Sequence, residues 1–179
     1  MTNSCFCCGA PTPANFDRRR FLQAATLAGF ASAVPVAARP AEGRYEAMLL
    51  SCIDPRMVAP VYQYMGRRGL TGSYSQFVIA GAAVAVVAPK FAGWHETFWQ
   101  NLAASIELHR ITRVIAIDHR DCGAVKIAYG AQSIATPVAE TATHKRVLGE
   151  FRKALAQRYP QLAAETGLMA LDGSFETLG

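Results

Sequence analysis

The segment "RVIAID", residues 113–118, constrains the fold more than any other stretch of the chain. It is a near-continuous apolar run without the polar alternation of a strand that has one wet face, so it must be buried on both sides. A strand of that kind belongs in a mainly parallel sheet covered by helices. The flanks agree with this. "NLAASIELHR", residues 101–110, has the spacing of an amphipathic helix with Leu102, Ile106 and His109 or Leu108 turned inward. "YEAMLLSC", residues 45–52, is a second short apolar run, broken by Asp54-Pro55-Arg56. A third, residues 75–87, reads as a strand interrupted by Gly81. Helices are expected over 57–69, ended by Gly69, over 122–128, and from about Thr143 to Arg158 ahead of Pro160. The aromatic stretch 90–100 and the Ala/Thr/Ser-rich stretch 131–143 read as loops, and residues 167–178 as a closing strand and turn. Strands therefore alternate with helices, and the expected class is α/β with a mostly parallel central sheet flanked by helices.

A chain of 179 residues supports one domain with a real core. With 51% hydrophobic and 17% charged residues, its composition is that of a folding chain and not a disordered one. The net charge of +5 is partly local. Residues 1–38 hold three of the 18 basic and one of the 13 acidic side chains, so the remainder carries +3. No basic stripe with interleaved aromatics occurs there, which argues against a nucleic-acid partner.

The basic cluster opens "DRRRFLQAATLAGFASAVPVAA", residues 17–38, where arginines precede a weakly apolar stretch and small residues end at Ala33 or Ala38. Arg18, Arg19, Arg20, Phe21 and Leu22 resemble a twin-arginine translocation signal. The apolar stretch is shorter than the roughly 20 residues that span a bilayer, so a cleaved signal is expected in place of an anchor. The expected organisation is a signal peptide over 1–38 and one folded domain over 39–179, exported by the twin-arginine machinery to the periplasm. Cys5, Cys7 and Cys8 precede the arginines and would leave with the signal.

Two cysteines remain, each at the expected end of an apolar strand: Cys52, and Cys122 three residues after His119. Ligands gather at the carboxyl ends of strands in parallel sheets, and two thiolates with one imidazole suit tetrahedral zinc. A helix starting behind Cys122 would favour its thiolate. Read from residues alone, the set is equally open to buried free thiols beside a structural histidine, or to a Cys52–Cys122 disulfide in an oxidising compartment.

Cys52-Ile53-Asp54-Pro55-Arg56 followed by His119-Arg120-Asp121-Cys122-Gly123 resembles the β-class carbonic anhydrase family, in which a Cys-x-Asp-x-Arg motif and a His-x-x-Cys pair carry the metal. The similarity extends through residues 104–125 and into 167–177, covering roughly 45–179. It implies Zn2+ held by Cys52, His119 and Cys122, with Asp54 and Arg56 as a catalytic dyad in which the guanidinium holds the carboxylate. Asp54 would either accept a hydrogen bond from zinc-bound hydroxide or close the site as a fourth metal ligand. The implied activity is reversible hydration of CO2 to bicarbonate by a homodimer or higher homo-oligomer, on a β-carbonic anhydrase-like fold.

The chain departs from that family at Val78-Ile79-Ala80-Gly81-Ala82, where an Arg-Asn-Ala-Gly-Asn stretch is usual. Apolar groups there make a drier pocket, which suits carbonyl sulfide or carbon disulfide as alternative substrates. A non-catalytic zinc or anion-binding role, with Asp54 permanently on the metal, is the remaining alternative. Pro55 in place of the usual Ser stiffens the turn. His95 reads as a proton shuttle or a surface histidine, and Trp94, Phe98 and Trp99 as a cover over the site or a subunit contact. His109 and His144 have no partner legible in the sequence.

Overall fold

A computed structural model describes residues 44–179; the arginine cluster, Cys5, Cys7, Cys8 and the expected 1–38 signal lie outside the described residues. Five strands form one sheet in the order β2-β1-β3-β4-β5: β1 (Ala47–Ser51), β2 (Tyr74–Val78), β3 (Arg113–His119), β4 (Ala163–Met169) and β5 (Phe175–Thr177). The first four run parallel, and β5 turns back antiparallel to β4. The helices are α1 (Val58–Arg67), α2 (Ala83–Val87), α3 (Ala92–His109), α4 (Gly123–Tyr129) and α5 (Pro137–Arg158). This is the α/β class that the unbroken apolar runs require.

Strand alternation divides the core into two. Ala47 and Leu49 of β1 with Ile115 and Ile117 of β3 pack against Val61 and Met65 of α1. On the other face, Met48, Leu50, Val114 and Ala116 meet Phe98 and Leu102 of α3 and Leu148, Phe151 and Leu155 of α5. The central strands β1 and β3 are therefore covered on both sides, as their apolar runs demand.

Three segments differ from the sequence expectation. The strand over 75–87 stops at Val78, because Gly81 (φ +85°) and Ala82 (φ +49°) take left-handed backbone and turn the chain into α2. The aromatic stretch 90–100 is the first half of α3; Phe98, Trp99, Leu102 and Ser105 recur at helical spacing and are buried. Phe98 and Trp99 are thus core residues and not a cover, while Trp94 stacks on Phe91 at 4.6 Å between ring centroids. Finally, α5 begins at Pro137 inside the expected 131–143 loop. Thr136 caps it, its side chain accepting from the Ala139 amide, and proline is pre-shaped for the first helical position.

Candidate metal centre

Parallel pairing sets Ser51 opposite Ile117, so Cys52 and His119 emerge together at the carboxyl edge of the sheet. The loop after β3 then brings Cys122 back as the residue preceding α4. Among the described residues one group has metal-ligand character: Cys52, His119 and Cys122, with ligand atoms within 4.8 Å of one another. All three side chains are buried, and both thiols are free. The structure brings these three residues together at the carboxyl edge of the sheet.

The donor set fits zinc on local evidence. His119 Nδ1 pairs with the Arg120 carbonyl oxygen at 2.8 Å, which places its proton on Nδ1. Nε2 is left buried with no hydrogen-bond partner. A buried polar atom without a partner is costly, and a cation beside two sulfurs would satisfy it.

The sulfurs are prepared unequally. Cys52 Sγ accepts the Gly81 amide at 3.2 Å. Its pKa is lowered to about 4, first by the hydrogen bond from Cys122, then by His119 and by the Gly81 and Asp54 amides, all against the effect of burial. Cys122 moves the opposite way, pushed up by the neighbouring Cys52 sulfur and by burial, although the Val125 and Ala124 amides pull it down. Burial disfavours the charged form of His119, but the adjacent Cys52 sulfur outweighs it and raises the pKa. The pair therefore favours the thiolate on Cys52, and a dication bound there would displace the proton held on Cys122.

Asp54 stands beside the group, with Oδ2 4.0 Å from His119 Nε2. Arg56 grips it from three directions: its backbone amide to Oδ1 (2.9 Å), Nε to Oδ1 (3.0 Å) and Nη2 to Oδ2 (2.7 Å). These hydrogen bonds hold the Asp54 pKa down at about 2, so the carboxylate is ionised at neutral pH. The other half of the guanidinium reaches across to Asp121, with Nη1 to Oδ2 at 2.9 Å and Nη2 to the carbonyl oxygen at 3.2 Å. Arg56 thereby ties the Cys52 loop to the Cys122 loop. Sequence reading did not pick out Asp121, which sits at φ +55° in the left-handed region that Asp tolerates better than most residues. The Glu140 carboxylate accepts the Asp121 amide at 2.6 Å and anchors that bend to α5.

Gly81 is required twice over. Its φ is left-handed, and a Cβ built there would lie 2.8 Å from Ala124 Cβ and 3.1 Å from Val84 Cβ. Gly81→Ala is expected to lower the stability of the metal-free protein by about 1–3 kcal/mol, read from urea unfolding at unchanged m-value. Beside Cys52 a cavity of about 200 Å³ is lined by Met57, Val58, Val61, Tyr62 and Val78. Its wall is mainly apolar, and of the 78–82 stretch it includes Val78.

Of the remaining histidines, His95 lies on α3, its Nε2 3.0 Å from the Ala88 carbonyl oxygen, and His109 packs edge-on against Tyr45. His144 is wholly buried, its Nδ1 2.8 Å from Asp118 Oδ2.

No family model matches the chain. It is 34% identical over 131 residues to an uncharacterized protein of Rickettsia conorii, covering 73% of this chain and 70% of that one. An uncharacterized protein of Rickettsia bellii is 33% identical over 131 residues, covering 73% and 80%. Among solved structures, the carbonic anhydrase of Streptococcus mutans superposes with a TM-score of 0.50 at 16% identity, covering 90% of this chain and 96% of that chain. The β-carbonic anhydrase CafA of Aspergillus fumigatus gives 0.52 at 15% identity, covering 89% and 86%. One of the two tetrameric β-carbonic anhydrases of Sordaria macrospora gives 0.52 at 13%, covering 90% and 95%. At these identities the likeness is one of fold.

Proposed function

Since the chain belongs to one family with these two Rickettsia proteins and has the fold of β-carbonic anhydrases, we propose that it is a zinc-dependent enzyme interconverting CO2 and bicarbonate. The observation that carries the reading is the convergence of Cys52, His119 and Cys122 within 4.8 Å, next to the Asp54–Arg56 pair. Bound there, zinc would supply a Lewis acid that brings the pKa of water down to about 7.

The chain's own residues do the rest. Cys52, His119 and Cys122 would hold the ion. Asp54, ionised at neutral pH and so acceptor-only, would take a hydrogen bond from the attacking group and fix its direction. Arg56 sets the rotamer of Asp54 through its fork, and Asp121 sets that of Arg56. The apolar walls of the cavity beside Cys52 suit a small apolar substrate.

The same walls favour a second reading, hydrolysis of carbonyl sulfide or carbon disulfide. Its motive is Val78, 47% exposed in the cavity wall where the carbonic anhydrase pattern carries arginine. We further propose export through the twin-arginine route to the periplasm, and a homo-oligomer formed around the edge strand β2. Ile53, Val58, Tyr62 and Val78 are exposed there together.

Stopped-flow CO2 hydration by the zinc-loaded chain, run beside sulfide release from both sulfur analogues, tests the reading. CO2 turnover that rises with pH is expected. Sulfide release without CO2 turnover would select the second reading, and zinc binding without either activity would leave a binding role.

A further inference from the structure

We propose that Asp118 and His144 are positioning residues for the metal centre, holding in place the turn whose amide supports the Cys52 sulfur; this rests on the zinc reading above. Asp118 is the residue before His119, and strand alternation sends the two side chains to opposite faces of the sheet. While His119 faces the cysteines, Asp118 lies under the turn that joins β2 to α2. Its Oδ1 accepts the Ala83 amide at 3.0 Å. Its Oδ2 is 2.8 Å from His144 Nδ1, and because a carboxylate oxygen only accepts, Nδ1 is the donor. Asp118 is 1% exposed and His144 is completely buried.

The turn needs this support. Gly81 and Ala82 both have positive φ, and for Ala82 that conformation is strained. Ala82 stands where an N-cap belongs but has no side-chain oxygen to receive the first amides of α2. Asp118 supplies that oxygen from another element. The Gly81 amide, two residues before Ala83, is then aimed at Cys52 Sγ at 3.2 Å. One backbone turn is thus pinned on one side by a buried carboxylate and imidazole, and on the other by a metal-ligating sulfur. Partners of this kind typically change metal affinity about 10–100-fold.

The test compares His144→Leu, which removes the donor, with His144→Asn, whose side-chain amide places an N–H near Nδ1. Zinc dissociation into a chelating indicator and the sulfur-to-cobalt charge-transfer band of the cobalt-substituted protein are read for each, beside unmutated protein. His144→Leu should bind zinc about 10-fold more weakly or worse and shift the band, and His144→Asn should stay close to the unmutated protein. Phe151→Leu, a core change in α5 away from the turn, controls for stability: it should lower the unfolding midpoint without moving either metal readout. Unchanged zinc affinity in folded His144→Leu, or an equal loss in Phe151→Leu, overturns the positioning role alone. Unmutated protein that binds no zinc overturns the metal reading as well. Should His144→Leu fail to fold, amide exchange in the unmutated metal-free protein decides: Gly81 and Ala83 should be protected like β3, and exchange as fast as an exposed turn overturns the proposal.

Discussion

Cys122→Ser is expected to abolish zinc retention and CO2 hydration together, with kcat/KM falling by at least about three orders of magnitude. The substitution trades a thiolate for a hydroxyl of similar shape. A serine oxygen does not ionise near neutrality and is a poor match for zinc beside a second sulfur. Cys122 is 1% exposed and packed in the core, yet the change in volume is small. Metal-free variant and metal-free parent should therefore unfold at similar urea concentrations, which separates loss of a ligand from loss of the fold. Metal analysis after dialysis against a chelator, together with stopped-flow hydration, measures both halves. A variant that keeps one zinc per chain would remove Cys122 from the ligand set.

Arg56→Ala should produce the second largest effect with the opposite signature: zinc retained at one per chain, and kcat reduced about 10²-fold or more, the size expected when a hydrogen-bonding group that orients the reaction is lost. The loss is traced to what Arg56 does to Asp54. Without the guanidinium the pKa of Asp54 rises from about 2 toward the ordinary carboxylate range. That is a rise toward about 4, still well below neutrality, so Asp54 stays ionised and protonation is not the cause of the loss. What changes is direction: the guanidinium's hydrogen bonds to the carboxylate disappear, leaving the backbone amide of residue 56 as the one contact from that position, and the tie to Asp121 goes with them. Arg56→Lys should recover only part of the rate, because an ammonium cannot make the paired contacts of a planar fork. Loss of zinc from Arg56→Ala would instead show that tying the two loops together is what holds the metal.

Much of the fold and the centre is legible in the amino-acid sequence. The unalternated run 113–118 demands a strand buried on both faces, and a parallel sheet then delivers its carboxyl end, with His119 and Cys122, to the edge where Cys52 emerges. The less legible parts depend on long-range contacts or on backbone conformation. "AVAVV" after Gly81 has the composition of a strand, and only the left-handed Gly81 and Ala82 make it a helix. The start of α3 is hidden because Phe98 and Trp99 are apolar enough to suggest a surface contact, whereas their spacing with Leu102 buries them. The start of α5 does carry a signal, Thr136-Pro137, outweighed by the small polar residues around it. Asp118 also carries one, since a carboxylate at the end of an apolar strand needs a buried partner. The identity of that partner, His144, is 26 residues away and follows only from the packing of α5 on the sheet. Asp121 depends in the same way on its bend toward Arg56.

The most direct test of the centre itself is zinc-edge X-ray absorption of the purified full-length protein. Two sulfurs at about 2.3 Å and one imidazole nitrogen at about 2.0 Å are predicted, completed by oxygen. Three or more sulfurs per zinc would require the cysteines at positions 5, 7 or 8 as ligands, and an edge without sulfur would place the metal elsewhere. Either result would contradict a centre built from Cys52, His119 and Cys122.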